Sequence, residues 1–166
     1  MIKFRDETPA DAPAIAALSR EEFNGDYEAD LIDRLREDGL VAVSLIAYDA
    51  TDLVGHILFS ELAVEIDGRS INAVALAPMA VRADRQRQGI GGQLIHQGLE
   101  RLRQRGYVAV IVLGHADYYP RFGFSAALAA KLRSPFPGEH FMALELEPDA
   151  LAGQTGRVLY PPAFGL

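Results

Sequence analysis

Residues Gln86 to Gly92 read Gln-Arg-Gln-Gly-Ile-Gly-Gly and stand between an apolar strand pattern and the start of a helix pattern. A turn of this kind can hold phosphate. Glycine lets the backbone approach a ligand closely, and the amides of the first helical turn have no carbonyl one turn back to bond. The partial positive charge of the helix N-terminus adds to their pull on an anion. Arg82, Arg85 and Arg87 bring positive charge to the same place, opposed by Asp84. One of the three is expected to meet a phosphate, since a planar guanidinium suits such oxygens. The stretch is therefore expected to grip the pyrophosphate of a coenzyme.

Other chemistry is legible around that turn. The strand before it, Ala77-Pro78-Met79-Ala80-Val81, carries a proline, which cannot donate to a sheet ladder. Pro78 marks either a sheet edge or a bulge, and a bulge would leave backbone groups of Met79, Ala80 and Val81 open to a ligand. His115 follows the apolar run Tyr107 to Leu113, at a strand end where sheet crevices hold ligands. Its side chain is suited to taking a proton near neutral pH. Glu61, Glu22 and Glu28 are alternatives for the same task.

Competing motifs are missing. The glycine turn does not complete Gly-x-Gly-x-x-Gly, because Leu94 holds the last position, and no Gly-Lys-Ser/Thr or Gly-x-Ser-x-Gly occurs. The histidines His56, His96, His115 and His140 show no metal-ligand spacing, so no metal is expected. There is no cysteine, which excludes disulfides, a thiolate nucleophile and thiolate-bound zinc. A net charge of −7 argues against a dedicated nucleic-acid binder. The N-terminal residues lack the basic-then-apolar order of a signal peptide, and the apolar runs are too short to span a membrane. A soluble, cytoplasmic protein is expected.

The elements that must position these residues follow in order. Ile2 to Arg5 alternates as a strand. Thr8, with Pro9 at the first helical position, predicts a helix to about Glu22, ended by Asn24-Gly25-Asp26. Leu31, Ile32 and Leu35 predict a second helix from Glu28 to Glu37. Strands are predicted over Leu40 to Tyr48, Leu53 to Ile66 and Ser70 to Val81, with Asp67-Gly68 as a hairpin turn. Leu94, Ile95, Leu99 and Leu102 give a helix to Arg105, stopped by Gly106. Tyr107 to Leu113 reads as a buried strand that can run parallel to its neighbour. A short helix within 114–124, a loop punctuated by Pro135 and Pro137, a strand from His140 to Leu146 and a tail lying over the body complete the chain. With 166 residues, 49% apolar, and no linker or repeat, one domain spanning 1–166 is expected.

This combination resembles the GNAT acyltransferases. Gln86-Arg87-Gln88-Gly89-Ile90-Gly91 matches the family's Gln/Arg-x-x-Gly-x-Gly/Ala signature, and Tyr119-Pro120-Arg121-Phe122-Gly123-Phe124 resembles its Tyr-x-x-x-Gly-Phe segment. The wording from Leu113 to Phe124 is similar to the YhbS-like bacterial branch. The resemblance covers nearly the whole chain. It implies an α+β (α/β/α) fold with a mixed central sheet splayed at one strand, and an N-acetyltransferase using acetyl-CoA without a metal.

By the same resemblance, backbone amides of Arg87, Gln88, Gly89, Ile90, Gly91 and Gly92 hold the pyrophosphate. The strand around Met79, Ala80, Val81 and Arg82 holds the pantetheine arm and an amide there polarises the acetyl carbonyl. Tyr119 lies against the thioester as general acid, with Tyr118 the second candidate and His115 the candidate base. The acceptor implied is a primary amine of a small molecule or peptide, between a wall bearing Asp26, Glu28, Asp30 and Asp33 and another from Phe136 to Phe141 and Tyr160 to Phe164. A monomer or homodimer is implied. The alternative is a GNAT-like module that binds acyl-CoA for regulation without turnover.

Overall fold

The computed structural model describes residues 1–136 and 138–166, so the loop role expected of Pro137 lies outside the described residues. The described strands are β1 (Ile2–Asp6), β2 (Val41–Asp49), β3 (Asp52–Ile66), β4 (Arg69–Val81), β5 (Ala109–Leu113), β6 (Leu132–Arg133), β7 (Phe141–Glu145) and β8 (Gly156–Leu159). The helices are α1 (Ala12–Phe23), α2 (Tyr27–Glu37), α3 (Ile90–Gln104) and α4 (Ala126–Ala129). The sheet order is β1-β2-β3-β4-β5-β7, with β8 on β3 and β6 on β8. β4 and β5 are parallel, while β1, β2 and β3 are antiparallel in turn, so the sheet is mixed.

Two compact units divide the chain, Met1–Ser60 with Ala77–Glu100, and Glu61–Leu76 with Arg101–Leu166. In the first, β3 is buried on both faces. Gly55 and Phe59 face α3: a Cβ on Gly55 would lie 3.2 Å from side-chain atoms of Ile90 and Leu94, and one on Gly98 would lie 2.4 Å from the Phe59 ring. Gly98 is therefore where the Phe59 ring reaches the α3 backbone. His56 points the other way by the two-residue period of a strand, and feels the charge of Arg36 on α2. Helices thus cover both faces, with Ile15, Leu18, Leu31, Ile32 and Leu35 buried from α1 and α2.

The approach to α1 differs from expectation. Pro9–Asp11 is a 3-10 turn, and α1 starts only at Ala12. The Asp11 carboxylate explains this: it accepts the Thr8 amide at 2.7 Å and two Arg5 guanidinium nitrogens at 2.7 and 3.0 Å. These bonds hold the Asp11 carboxyl down at about 2, with Arg5 the largest cause.

In the second unit, β5 is buried along its length until Leu113. It starts at Ala109 instead of Tyr107. Tyr107 N bonds Leu102 O at the end of α3, and Gly106 has φ +85, a helix stop of the left-handed type. The tail forms β8, pairing with Ala63 to Ile66, where a tail lying over the body was expected. Asp67 pins its start, accepting the amides of Gln154 and Thr155. α4 and β6 have no counterpart in the sequence pattern: α4 is one turn, capped by Ser125, and β6 has two residues. Among the described residues no helix is long and apolar enough to cross a membrane.

His56 is 1% exposed, and its Nε2 lies 2.8 Å from Ser44 Oγ, while Nδ1 has no hydrogen-bond partner among the described residues. Burial, then the Arg36 charge, push its imidazole from the ordinary 6.5 down to about 3. Below 6.5 the unfolded chain takes up a proton that the folded one refuses. Stability is therefore complete above 6.5 and is lost as pH falls from there towards 3. Denaturation against pH should show an acid limb approaching ~1.4 kcal/mol per pH unit from this group. The limb should flatten in His56→Gln, and an equal slope in both proteins would refute the assignment.

Candidate active site

β4 sets up the first part of the site. Its parallel ladder with β5 ends at Leu76↔Val112, one residue before the cis Ala77–Pro78 bond, yet β4 itself continues to Val81. β4 lies between β3 and β5 in the strand order, but Pro78 comes after the last β4–β5 rung, so on the β5 side it stands at a local edge. The proline stands where the pairing with β5 has stopped.

After Val81 the chain turns under tight control. Arg82 N bonds Val54 O at 2.8 Å, and Ala83–Arg85 forms a 3-10 turn. Gln86 Nε2 donates to Val81 O at 2.9 Å and to Glu22 Oε1 at 3.1 Å, and Ala83 N donates to Glu22 Oε2 at 3.2 Å. Both oxygens of one carboxylate from the end of α1 thus brace the turn. Arg87 and Gly89 then take left-handed backbone conformations, with φ +64 and +83. The bond from Gln93 N to Gly89 O, 3.0 Å, opens the α3 ladder, which puts the amides of Ile90, Gly91 and Gly92 in the free first turn. Gly89 itself has open space around a built Cβ, so its backbone conformation, not crowding, calls for glycine.

The charges differ from the sequence picture. Arg82 makes a two-pronged pair with Asp84 at 2.7 and 3.2 Å, and Arg85 pairs with Asp49 at 2.9 Å. The Asp84 and Asp49 carboxyls are held below the usual range mainly by these arginines. Asp49 comes from the end of β2 and also holds the N-terminal ammonium, so Asp84 does not oppose the arginines alone. Arg87 is exposed and has no ion pair among the described residues. It is the cation of the three left for a ligand.

Tyr119 opens a 3-10 turn, Tyr119–Phe122, which Gly123 ends at φ +99. This is the short helix expected there, of 3-10 type. The Tyr119 ring is 9% exposed and meets the rings of Tyr118 and Phe124 edge-on at 5.2 and 5.7 Å. Burial, and then Tyr118, push its phenol up to about 12, so it is protonated at neutral pH. Tyr118 is half-buried, met edge-on by Phe122 and covered by the Arg121 guanidinium at 5.0 Å from its ring centre. His115 is exposed, and its carbonyl accepts the Tyr118 amide at 3.1 Å.

Other candidates are engaged. Glu22 braces the turn as described. Glu61 accepts the Tyr107 hydroxyl, and burial with that contact raises the Tyr107 phenol to about 12. On the acidic early helices, Asp26 pairs with Arg20 at 3.0 Å and Asp33 with Arg36 at 3.3 Å. Glu28 is partly exposed and Asp30 exposed. Near the C-terminus, Phe136, Tyr160 and Phe164 form a chain of edge-on rings at 5.3 and 5.1 Å. The two C-terminal stretches expected to share a wall therefore do meet. Sequence reasoning missed the Glu22 brace, the Asp49 pair and the crowding of Tyr119 by Gly114. Each joins residues far apart in the chain or depends on side-chain direction, and only the Gln86 position within its motif hinted at one of them.

A sequence model of the acetyltransferase (GNAT) domain matches residues 3–127. The chain belongs to the GNAT N-acetyltransferases. The uncharacterized N-acetyltransferase YhbS of Escherichia coli strain K12 is 41% identical over 163 residues, covering 96% of each chain. YjhQ of the same strain, likewise an uncharacterized N-acetyltransferase, is 38% identical over 154 residues, 87% of this chain and 85% of that one. The crystal structure of E. coli YhbS in complex with CoA superposes with TM-score 0.90 at 40% identity, covering 99% of this chain and 92% of that one. A GNAT acetyltransferase of Brucella melitensis in complex with acetyl-CoA gives TM-score 0.80 at 32% identity over 99% and 98%.

Removing the brace tests its part in the turn. Glu22→Ala should speed hydrogen exchange of the Ala83 amide by about tenfold, the loss of one charge-assisted bond in a partly exposed place. The Arg82 amide, held by Val54, should be unchanged. Equal exchange at Ala83 in both proteins would show that the turn holds itself.

Proposed function

We propose that the chain moves an acetyl group from acetyl-CoA to a primary amine of a small molecule or peptide, by direct transfer in a ternary complex. The observation that carries this reading is the Arg87–Gly92 turn: two left-handed residues, an open helix start and one uncommitted arginine, in a chain whose relatives from E. coli and B. melitensis were crystallised with CoA and acetyl-CoA. The reading takes 1–166 as one cytoplasmic acetyltransferase domain, acting as a monomer or homodimer.

In this reading the amides of Arg87 to Gly92 hold the pyrophosphate and Arg87 adds its charge. The backbone of Met79, Ala80, Val81 and Arg82 takes the pantetheine arm as an added strand, where β4 has run past its β5 ladder. An amide among them donates to the acetyl oxygen as negative charge builds on it. The amine nitrogen bonds to the carbonyl carbon and the carbon–sulfur bond breaks. Tyr119 supplies the proton that the departing sulfur takes, and solvent replaces it. Its phenol, with a pKa pushed up to about 12 by burial, is protonated throughout the neutral range, as an ordinary tyrosine is.

The amine proton goes to His115. Glu22 and Glu61 already serve other partners, whereas the exposed His115 side chain has none among the described residues, and Glu28 is the remaining alternative. The lack of a cysteine, and of a serine in a nucleophile-elbow motif, to carry the acetyl group supports direct transfer. Asp30 and Glu28 leave negative charge for a cationic acceptor after Asp26 and Asp33 are paired.

Thiol release from acetyl-CoA against a panel of amines and N-terminal peptides tests the reading. Acetyl-CoA binding with no thiol release for any acceptor would favour the regulatory module. Tyr119→Phe should lower kcat by about 100-fold, with the acetyl-CoA KM within about twofold. An unchanged kcat would remove Tyr119 from the mechanism. Gly91→Val should abolish acetyl-CoA binding in calorimetry by adding bulk at the phosphate path, and retained affinity would sink the phosphate-turn reading.

A further inference from the structure

Tyr119 owes its place to a neighbour that the family motifs leave out. Gly114 directly follows β5, and a Cβ built on it would lie 2.3 Å from Tyr119 Cε2, 2.9 Å from Cδ2 and 3.4 Å from Cζ. One side of the ring thus lies on the bare Gly114 backbone. Gly114 is not among the residues of positive φ, so its backbone would accept a side chain. The ring is the observed obstacle. Gly123, by contrast, needs glycine for its own φ of +99.

Gly114 is itself held at both of its polar groups by one residue. Its amide donates to His140 O at 2.9 Å, and its carbonyl lies 3.0 Å from His140 Nδ1. A carbonyl accepts, so Nδ1 carries the proton in this contact. The main-chain bond continues the β5–β7 ladder past its Leu113↔Phe141 rung, and the imidazole closes a second bond around the same residue. The Tyr119 backbone is tied less firmly, with its amide 3.4 Å from His115 O. Ring contacts therefore do more than the main chain to locate the phenol: Gly114 at its Cε2 edge, with the rings of Tyr118 and Phe124 also packed against it.

We infer that Gly114 and His140 form a seat for the Tyr119 ring and are positioning residues for the acetyl-transfer step. The inference rests on the proton-donor reading of Tyr119 for its kinetic consequence, though the seat itself is a matter of geometry. An alanine at 114 requires the contact to open by about 1 Å to reach ordinary van der Waals distance. A displacement of that size at a reacting group costs up to about 100-fold in rate.

The test combines structure and kinetics. In the crystal structure of Gly114→Ala the Tyr119 ring should move by about an ångström. A ring that stays while the 114 backbone shifts would overturn the seat. With an amine that the native protein turns over, Gly114→Ala should lower kcat by about 10- to 100-fold, leaving the acetyl-CoA KM within about twofold. In the Tyr119→Phe background the same substitution should cost no further kcat. An equal loss in both backgrounds would show that Gly114 acts through something other than the phenol.

Should Gly114→Ala fail to fold, His140 decides from its exposed position. His140→Ala should lower kcat about three- to tenfold, from loss of one hydrogen bond. His140→Asn should restore it, because the asparagine amide nitrogen sits one bond from Cγ as Nδ1 does. No loss in His140→Ala, or no rescue by asparagine, would remove His140 from the seat. If Tyr119→Phe alone leaves kcat unchanged, the proton-donor reading fails, while the ring position in Gly114→Ala still decides the seat.

Discussion

The parallel ladder between β4 and β5 stops before β4 does. Pairing closes at Leu76↔Val112, and the chain runs on through Ala77 and Pro78 to Val81. Backbone amides and carbonyls seek partners, and proline offers no amide. A strand that outruns its ladder presents main-chain groups to a ligand that can act as a strand. It also delivers the Gln86–Gly92 turn to the start of α3. The proposed placement of the coenzyme, from thioester to pyrophosphate, depends on that early stop.

Charge around the turn is more economical than a count of arginines suggests. Arg82 and Arg85 are bound to Asp84 and Asp49, which leaves Arg87 with its side chain uncommitted and its backbone left-handed beside Gly89. The exposed ion pairs contribute little stability individually. Their consequence is shape: Asp49 joins the turn to the end of β2, and Glu22 joins it to the end of α1. A phosphate would meet a turn already braced from two sides, which limits the ordering it must impose.

The aromatic segment after β5 is built on close contact. Tyr119 is buried among rings and lies against Gly114, and burial moves its phenol pKa further above neutral. One local arrangement thus sets both the position and the raised pKa of the proposed acid. The same economy holds on β3, where Phe59 rests on Gly98 of α3. In both places a glycine marks an aromatic ring on its backbone, not a turn.

Much was legible in the sequence because it is written locally. Periodicity placed α1, α2, α3 and the long strands to within a few residues, since burial of one helix stripe or strand face leaves its period in the chain. The glycine turn and the Tyr119 segment carried the family resemblance for a similar reason: each is a short contiguous run whose left-handed positions, Gly89 and Gly123, call for glycine. Short elements left no period to read, so α4, β6 and β8 emerge only through Ser125, Gly156 and the strands they join. The pairs Glu22–Gln86, Asp49–Arg85 and Glu61–Tyr107 were beyond sequence reading, because a carboxylate's partner depends on which distant side chain the fold brings within reach. The sequence by itself determined the main elements and the glycine turn at the start of α3, through local pattern and backbone chemistry. Tertiary structure alone decided which arginine is uncommitted, which carboxylates are occupied and what the Tyr119 ring rests on, because each depends on distances between residues that the chain order does not record.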